Sequence, residues 1–266
     1  MVMFNLPKKV YFKNGSTPVA LRELSEVYRC SKALIVGDVE LKKIGILASI
    51  GKLLSAQGIR TTEFFSLQGV PTFAQVQGGI AQMEEFAPDV IVGVGGGSAM
   101  SAAKALWALY ENPQLQLEVA VSGQEPIVRG EKAKLVLVAT SFGRGLQNSP
   151  FAVLKNAQGT LCALNSWNLL PEISVTDSFY VATLTPQQVE AAANKLLQQV
   201  EAALTSSSCT DYPHGLLAEA QALLKKELPF ALKGCPVALE KLHHAAAIAG
   251  CALGNVLTTE EYIKNM

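Results

Sequence analysis

Ile91 to Lys104 reads IVGVGGGSAMSAAK. Val90 to Val94 is a short apolar run of strand length. It meets Gly95-Gly96-Gly97-Ser98 and then an Ala-rich stretch, Ala99 to Tyr110, of helix composition. A strand that ends in glycines and opens a helix is a tight turn with free backbone N–H groups at a helix N-terminus, which suits an anion. Gly93 and Gly95 fit the spacing G-x-G-x-x-G, but Ser98 stands at the third glycine, and no Gly-Lys-Ser/Thr follows. The residues alone leave two readings open: a phosphate site at Gly95, Gly96, Gly97 and Ser98, or a strand-to-helix turn without a ligand.

The same alternation extends on both sides of this stretch. Strands are expected at Lys8 to Lys13, Ala33 to Val36, Thr61 to Phe65, Leu135 to Ala139 and Ile173 to Val175. Helices are expected at Pro18 to Tyr28, Leu41 to Gln57 and Thr72 to Phe86. Strands separated by helices imply βαβ units and a parallel sheet. Phe151 to Leu154 and Thr160 to Ala163 read as a hairpin over Gly159. After Thr185-Pro186 every segment is helical: Gln187 to Thr205, Gly215 to Leu228 with a stop at Pro229, and Val237 to Val256. The expected fold is therefore an α/β domain over residues 1–180 followed by a short all-α domain over 181–266.

Composition narrows the function. Lys+Arg and Asp+Glu are 22 each, so the formal net charge is zero and nothing general attracts a phosphate backbone. A nucleic-acid role is not expected. Charged residues make up 17%, below the roughly 25% of ordinary soluble domains, which favours a large core or a buried oligomer interface. No apolar run reaches membrane-spanning length and no signal peptide is evident, so a cytoplasmic protein without a membrane role is expected. The five cysteines form no CxxC or Cys/His cluster and read as reduced and buried.

Gly95 to Lys104 resembles the signature GGGSxxDxAK of the iron-containing alcohol dehydrogenase family. Similar matches are Phe12 to Gly15, Leu106 to Pro113, Pro150 to Val153, Leu228-Pro229 and Val237 to Asn255. The likeness is greatest to the alcohol dehydrogenase part of bacterial aldehyde-alcohol dehydrogenases. It implies a dehydroquinate synthase-like architecture, with NAD(P) and a divalent iron between the two domains. The metal polarises an alcohol oxygen while hydride passes to the nicotinamide. The resemblance implies cofactor contacts from Asp38, Gly95, Gly96, Gly97, Ser98, Thr140, Ser141 and Ser149. Asp38 reads equally as a helix N-cap.

The family's chemistry is not matched residue by residue. Aligning Glu201-Ala202 with the family's Glu-Ala places Asn194 at the metal Asp and Gln198 at the first metal His. Tyr262 falls at a further metal His and Met266 at the intervening one. Neutral amides are poor ligands for divalent iron. Ser101 replaces the signature Asp, Leu161 stands at a family Lys, and Phe142, Arg144 and Leu146 are bulky additions to the cofactor loop. His214, His243 and His244 read as structural. On this reading the second domain is incomplete, no metal is expected, and NAD(P) binds weakly past Phe142 and Arg144. The expectation is a degenerate, non-catalytic member of the family. The alternative is an active oxidoreductase with an unusual or subunit-shared site. A third reading is a subunit that docks on a copy of itself or on a full-length dehydrogenase through a bare apolar helix, His243 to Val256.

Overall fold

The computed structural model describes residues 3–67 and 69–264; the expectation at Met266 lies outside them. The strands are β1 (Lys9–Phe12), β2 (Lys32–Asp38), β3 (Arg60–Leu67), β4 (Val90–Gly95), β5 (Lys134–Ala139), β6 (Phe151–Lys155), β7 (Leu161–Asn165) and β8 (Ile173–Thr176). The helices are α1 (Ser16–Glu26), α2 (Val39–Lys43), α3 (Ile46–Ser55), α4 (Phe73–Gly78), α5 (Ile80–Phe86), α6 (Gly97–Glu111), α7 (Leu117–Ala120), α8 (Ser178–Val181), α9 (Pro186–Leu204), α10 (Asp211–Ala231), α11 (Pro236–Val256) and α12 (Thr259–Lys264).

Six strands form one parallel sheet in the order β1-β8-β5-β4-β2-β3, and β6 and β7 form a separate antiparallel hairpin. Successive side chains of a strand point to opposite faces. Accordingly Ala33, Ile35, Val90, Val92, Val94, Val136 and Val138 pack on one face with Leu21, Leu24, Leu47, Ile50 and Leu54 of α1 and α3. Leu34, Val36, Ile91, Leu135 and Leu137 pack on the other with α6. That second core runs without a break into α9, α10 and α11. Burial on both sheet faces explains why these strands read as continuous apolar runs.

Three helix expectations are adjusted. The stretch 41–57 is two helices, because Gly45 takes a left-handed φ of 80° between α2 and α3. The stretch 72–86 breaks at Gly78-Gly79. The helix expected to stop at Pro229 runs to Ala231. Pro229 forfeits one bond in the final turn but has few residues after it to disrupt. The cysteines are free, and only Cys30 is buried; the other four are half-buried.

A larger correction concerns α11, which was expected to be bare. Its Ala-rich face is buried within the chain, with Leu242, His243, Ala246, Ala249, Gly250 and Leu253 all in the interior. The fit depends on small residues. A Cβ on Gly250 would stand 2.0 Å from the Gly145 carbonyl oxygen, and one on Gly254 would stand 2.2 Å from Pro150 Cδ. The Asn148 Nδ2 amide donates to the Ala247 carbonyl at 2.9 Å. No helix among the described residues is long and apolar enough to cross a membrane.

Candidate functional site

The chain leaves β2 toward β3 on one side and leaves β4 toward β5 on the other. The neighbouring carboxyl ends of β2 and β4 are therefore a topological switch point, where open parallel sheets form a crevice. Asp38 ends β2 there and Gly95 ends β4. Gly95 has φ 151°, and a Cβ on it would lie 2.6 Å from Ala99 Cβ, so only glycine makes this approach of turn to helix. Gly97 opens α6 and is exposed, while Gly96 and Ser98 are half-buried. The α6 N-terminus carries no side-chain cap and no acidic residue in its first turn. Its free N–H groups and positive dipole end suit an oxyanion.

The structure brings together most of the expected cofactor residues. The Thr140 backbone N–H donates to the Gly95 carbonyl at 3.0 Å. Ser141 Oγ lies where a Cβ on Gly96 would approach it to 3.0 Å. Asp38 accepts from the Leu41 N–H at 2.8 Å and so caps α2. Ser149 stands apart: it is fully buried, and its hydroxyl donates to the Leu146 carbonyl at 3.2 Å. Phe142 does not line the crevice either. Its ring turns inward, 1% exposed, edge-on to the His243 ring with centroids 6.0 Å apart.

The loop after β5 is held from below by Lys104. This residue is fully buried, and its ammonium donates to the carbonyls of Leu146 (2.7 Å), Ser149 (2.5 Å) and Phe151 (3.0 Å). Burial pushes its pKa well down. The three carbonyl acceptors act the other way by favouring the charged form. Ser101, at the signature Asp position, accepts from the Val153 N–H at 2.9 Å and so joins α6 to the hairpin. The crevice side of the glycine turn encloses only about 10 Å³, roughly the room of one water molecule.

A second cavity, of about 230 Å³, opens beside it, between the start of α6, the 143–146 loop, β6 and α9. Its polar lining comes from Ser98, Ser101, Arg144, Lys195 and Tyr262. Burial pulls the Arg144 pKa down, opposed by Tyr262. Burial pushes the Tyr262 phenol up to about 12, opposed by Arg144 and a hydrogen bond to Ser149, so the phenol is neutral. Along α9 the cavity is met by Ala192 and Lys195. Asn194 and Gln198 are exposed, on the face away from Val189, Ala193, Leu196, Val200 and Ala203. Of the polar side chains on α9, Lys195 lines the cleft and Gln199, one turn on, is fully buried. The helical period of the buried residues, read along α9, carries this signal.

An iron, which the resemblance implies, needs ligand atoms that these side chains do not supply. Guanidinium and ammonium groups have no lone pair to offer a cation. Among the described residues the cleft lining contains no carboxylate, imidazole or thiolate. Among the described residues no three His, Cys, Asp or Glu side chains cluster as a metal site. His243 is buried beneath the loop and His244 lies at a separate apolar groove. The residues present do not fit a divalent iron.

Comparison with known proteins agrees with the fold. Residues 7–178 match the family model described as iron-containing alcohol dehydrogenase. The bifunctional aldehyde-alcohol dehydrogenase AdhE of Escherichia coli is 34% identical over 268 residues, covering 96% of this chain and 30% of that protein. The chain thus spans about 30% of the length of such relatives. An iron-containing alcohol dehydrogenase of Thermococcus thioreducens superposes with a TM-score of 0.87 at 24% identity, covering 96% of this chain and 68% of that one. A sulfoacetaldehyde reductase of Bifidobacterium kashiwanohense, solved with NAD+, gives 0.86 at 20% identity, covering 95% and 66%. With the family model spanning more than half of the residues, and the glycine turn and parallel sheet in place, this chain belongs to the iron-containing alcohol dehydrogenase family.

Proposed function

We propose that this chain is a non-catalytic member of the family, which keeps a weakened dinucleotide pocket and has lost iron-supported hydride transfer. The observation that carries the proposal is the cleft lining: among the described residues it has two cations, Arg144 and Lys195, and no carboxylate, imidazole or thiolate to bind a metal. Two positive side chains repel a divalent cation where the chemistry would need one.

The nucleotide part rests on different residues. An uncapped, exposed α6 N-terminus suits a pyrophosphate, and Asp38 at the end of β2 suits a ribose hydroxyl. Phe142 is turned away from this path, so Leu146 and Arg144 are the residues that narrow it. A similar fold has been solved with NAD+. The docking reading keeps a narrower ground, because most of the Ala-rich face of α11 is buried within the chain while His244, Ala247, Ile248 and Cys251 line an apolar groove.

The test is elemental analysis of the purified protein together with an assay of NAD(P)-linked oxidation of short alcohols. The expected result is no stoichiometric iron or zinc and no turnover. Stoichiometric metal with turnover overturns the reading in favour of an active enzyme with an unusual or subunit-shared site. Calorimetry with NAD, NADH and NADP tests the pocket separately, with weak binding expected.

A further inference from the structure

We propose that the cleft between α6, the 143–146 loop and α9 binds a small organic oxyanion, a phosphate ester or a carboxylate, gripped by Arg144 and Lys195. The inference rests on the reading that this cleft no longer holds a metal.

Three observations carry it. The first is sign. Among the described residues the charged side chains of the lining are the cations Arg144 and Lys195, and no Asp or Glu is among them. A cleft of one sign with low-dielectric walls concentrates ions of the opposite sign. The second is chemistry. A guanidinium presents a planar fork that matches carboxylate and phosphate oxygens, and an ammonium adds a point charge. The Tyr262 phenol lines the same space and is neutral at ordinary pH, so it adds no negative charge to the cleft. The third is size. About 230 Å³ lies below the roughly 300–1,000 Å³ of pockets for drug-sized ligands. Val70, Pro71 and Val153 form an apolar wall suited to a short carbon skeleton. The cavity reaches Gly97 and Ser98 at the start of α6, and the two cations from the loop and from α9 distinguish it from a helix N-terminus that takes a nucleotide phosphate alone.

The experiment is calorimetric titration of the full chain with inorganic phosphate, glycerol 3-phosphate, lactate and propane-1,2-diol, at low and at physiological salt. Lactate and the diol share a carbon skeleton and differ in charge. One of the anions is expected to bind with a dissociation constant below about 1 mM, more weakly at higher salt, while the diol does not bind. Preference for glycerol 3-phosphate and phosphate assigns a phosphate ester; preference for lactate assigns a carboxylate. Lys195→Glu and Arg144→Gln are each expected to weaken binding at least about tenfold, the worth of one charge-assisted hydrogen bond. Lys195 is exposed, so its variant is expected to fold. Arg144→Lys keeps the charge and loses the fork, and serves if Arg144→Gln does not fold.

The proposal is overturned if no anion binds, if the diol binds as well as lactate, or if anion binding survives Lys195→Glu unchanged. It is also overturned if saturating NADH removes the anion equally from parent and variant, which would place it at the α6 N-terminus. Bound iron with turnover overturns the non-catalytic reading whatever this titration gives. Absent anion binding in metal-free protein overturns this inference alone.

Discussion

The Tyr262 ring stacks on the Phe151 ring, with centroids 4.3 Å apart and planes 28° from parallel. The residue matched to a metal histidine is therefore a core side chain, 1% exposed, that docks α12 onto the hairpin. Tyr262→Ala is expected to cost about 3–5 kcal/mol, as for other large aromatic truncations. Tyr262→Phe removes only the hydrogen bond to Ser149 and is expected to cost about 1 kcal/mol. Urea denaturation reads both. Tyr262→His is expected to destabilise without conferring iron binding, since among the described residues no carboxylate, imidazole or thiolate lines that cavity.

Lys104→Met would leave the carbonyls of Leu146, Ser149 and Phe151 buried without their shared donor. A loss of about 3 kcal/mol or more is expected. Amide hydrogen exchange should show its largest increase across residues 144–151. Unchanged exchange in that loop would contradict the anchoring role.

Gly250→Ala tests the contact between α11 and the loop. The new methyl would stand 2.0 Å from the Gly145 carbonyl oxygen, with backbone on both sides. Overpacking of this kind costs about 3 kcal/mol where neither side can yield. A denaturation midpoint equal to the parent's would refute the close approach.

His243 makes stability depend on pH. Burial, with His244 adding to it and Asp177 opposing, holds its pKa down at about 3 in the folded chain, against 6.5 ordinarily. Between those values the unfolded chain binds the proton and the folded chain does not. Its contribution is complete above pH 6.5 and is lost as the pH falls toward 3. The expected slope from this residue is about 1.4 kcal/mol per pH unit. Denaturation curves from pH 7 to pH 4 should flatten by that amount in His243→Leu.

Asp38 is predicted to have two separable roles. Asp38→Ala removes the cap on α2 and is expected to cost about 1 kcal/mol. Asp38→Asn retains an acceptor for the Leu41 N–H and is expected to keep most of that stability. Both are expected to weaken NADH binding in calorimetry. Equal NADH affinity in Asp38→Asn and the parent would leave Asp38 as a cap alone.

Local pattern made much of this molecule legible. VIVGV could only be a strand buried on both faces, the glycines after it could only be a turn into a helix, and the repeat of that alternation implied a parallel sheet. Hydrophobic period and glycine stereochemistry act over a few residues, so they are written in the chain order itself. The identity of the cleft was not written there. Whether Asn194 or Lys195 meets the cavity depends on how α9 is rotated against α10 and the hairpin. Whether Phe142 blocks a cofactor or supports the core depends on His243, about a hundred positions away. The role of Lys104 depends on three carbonyls that a later loop brings to it, and the cover over α11 depends on Gly145 meeting Gly250. Those contacts join segments far apart in the chain, and packing against the shared core, not local propensity, selects which side chains face each other.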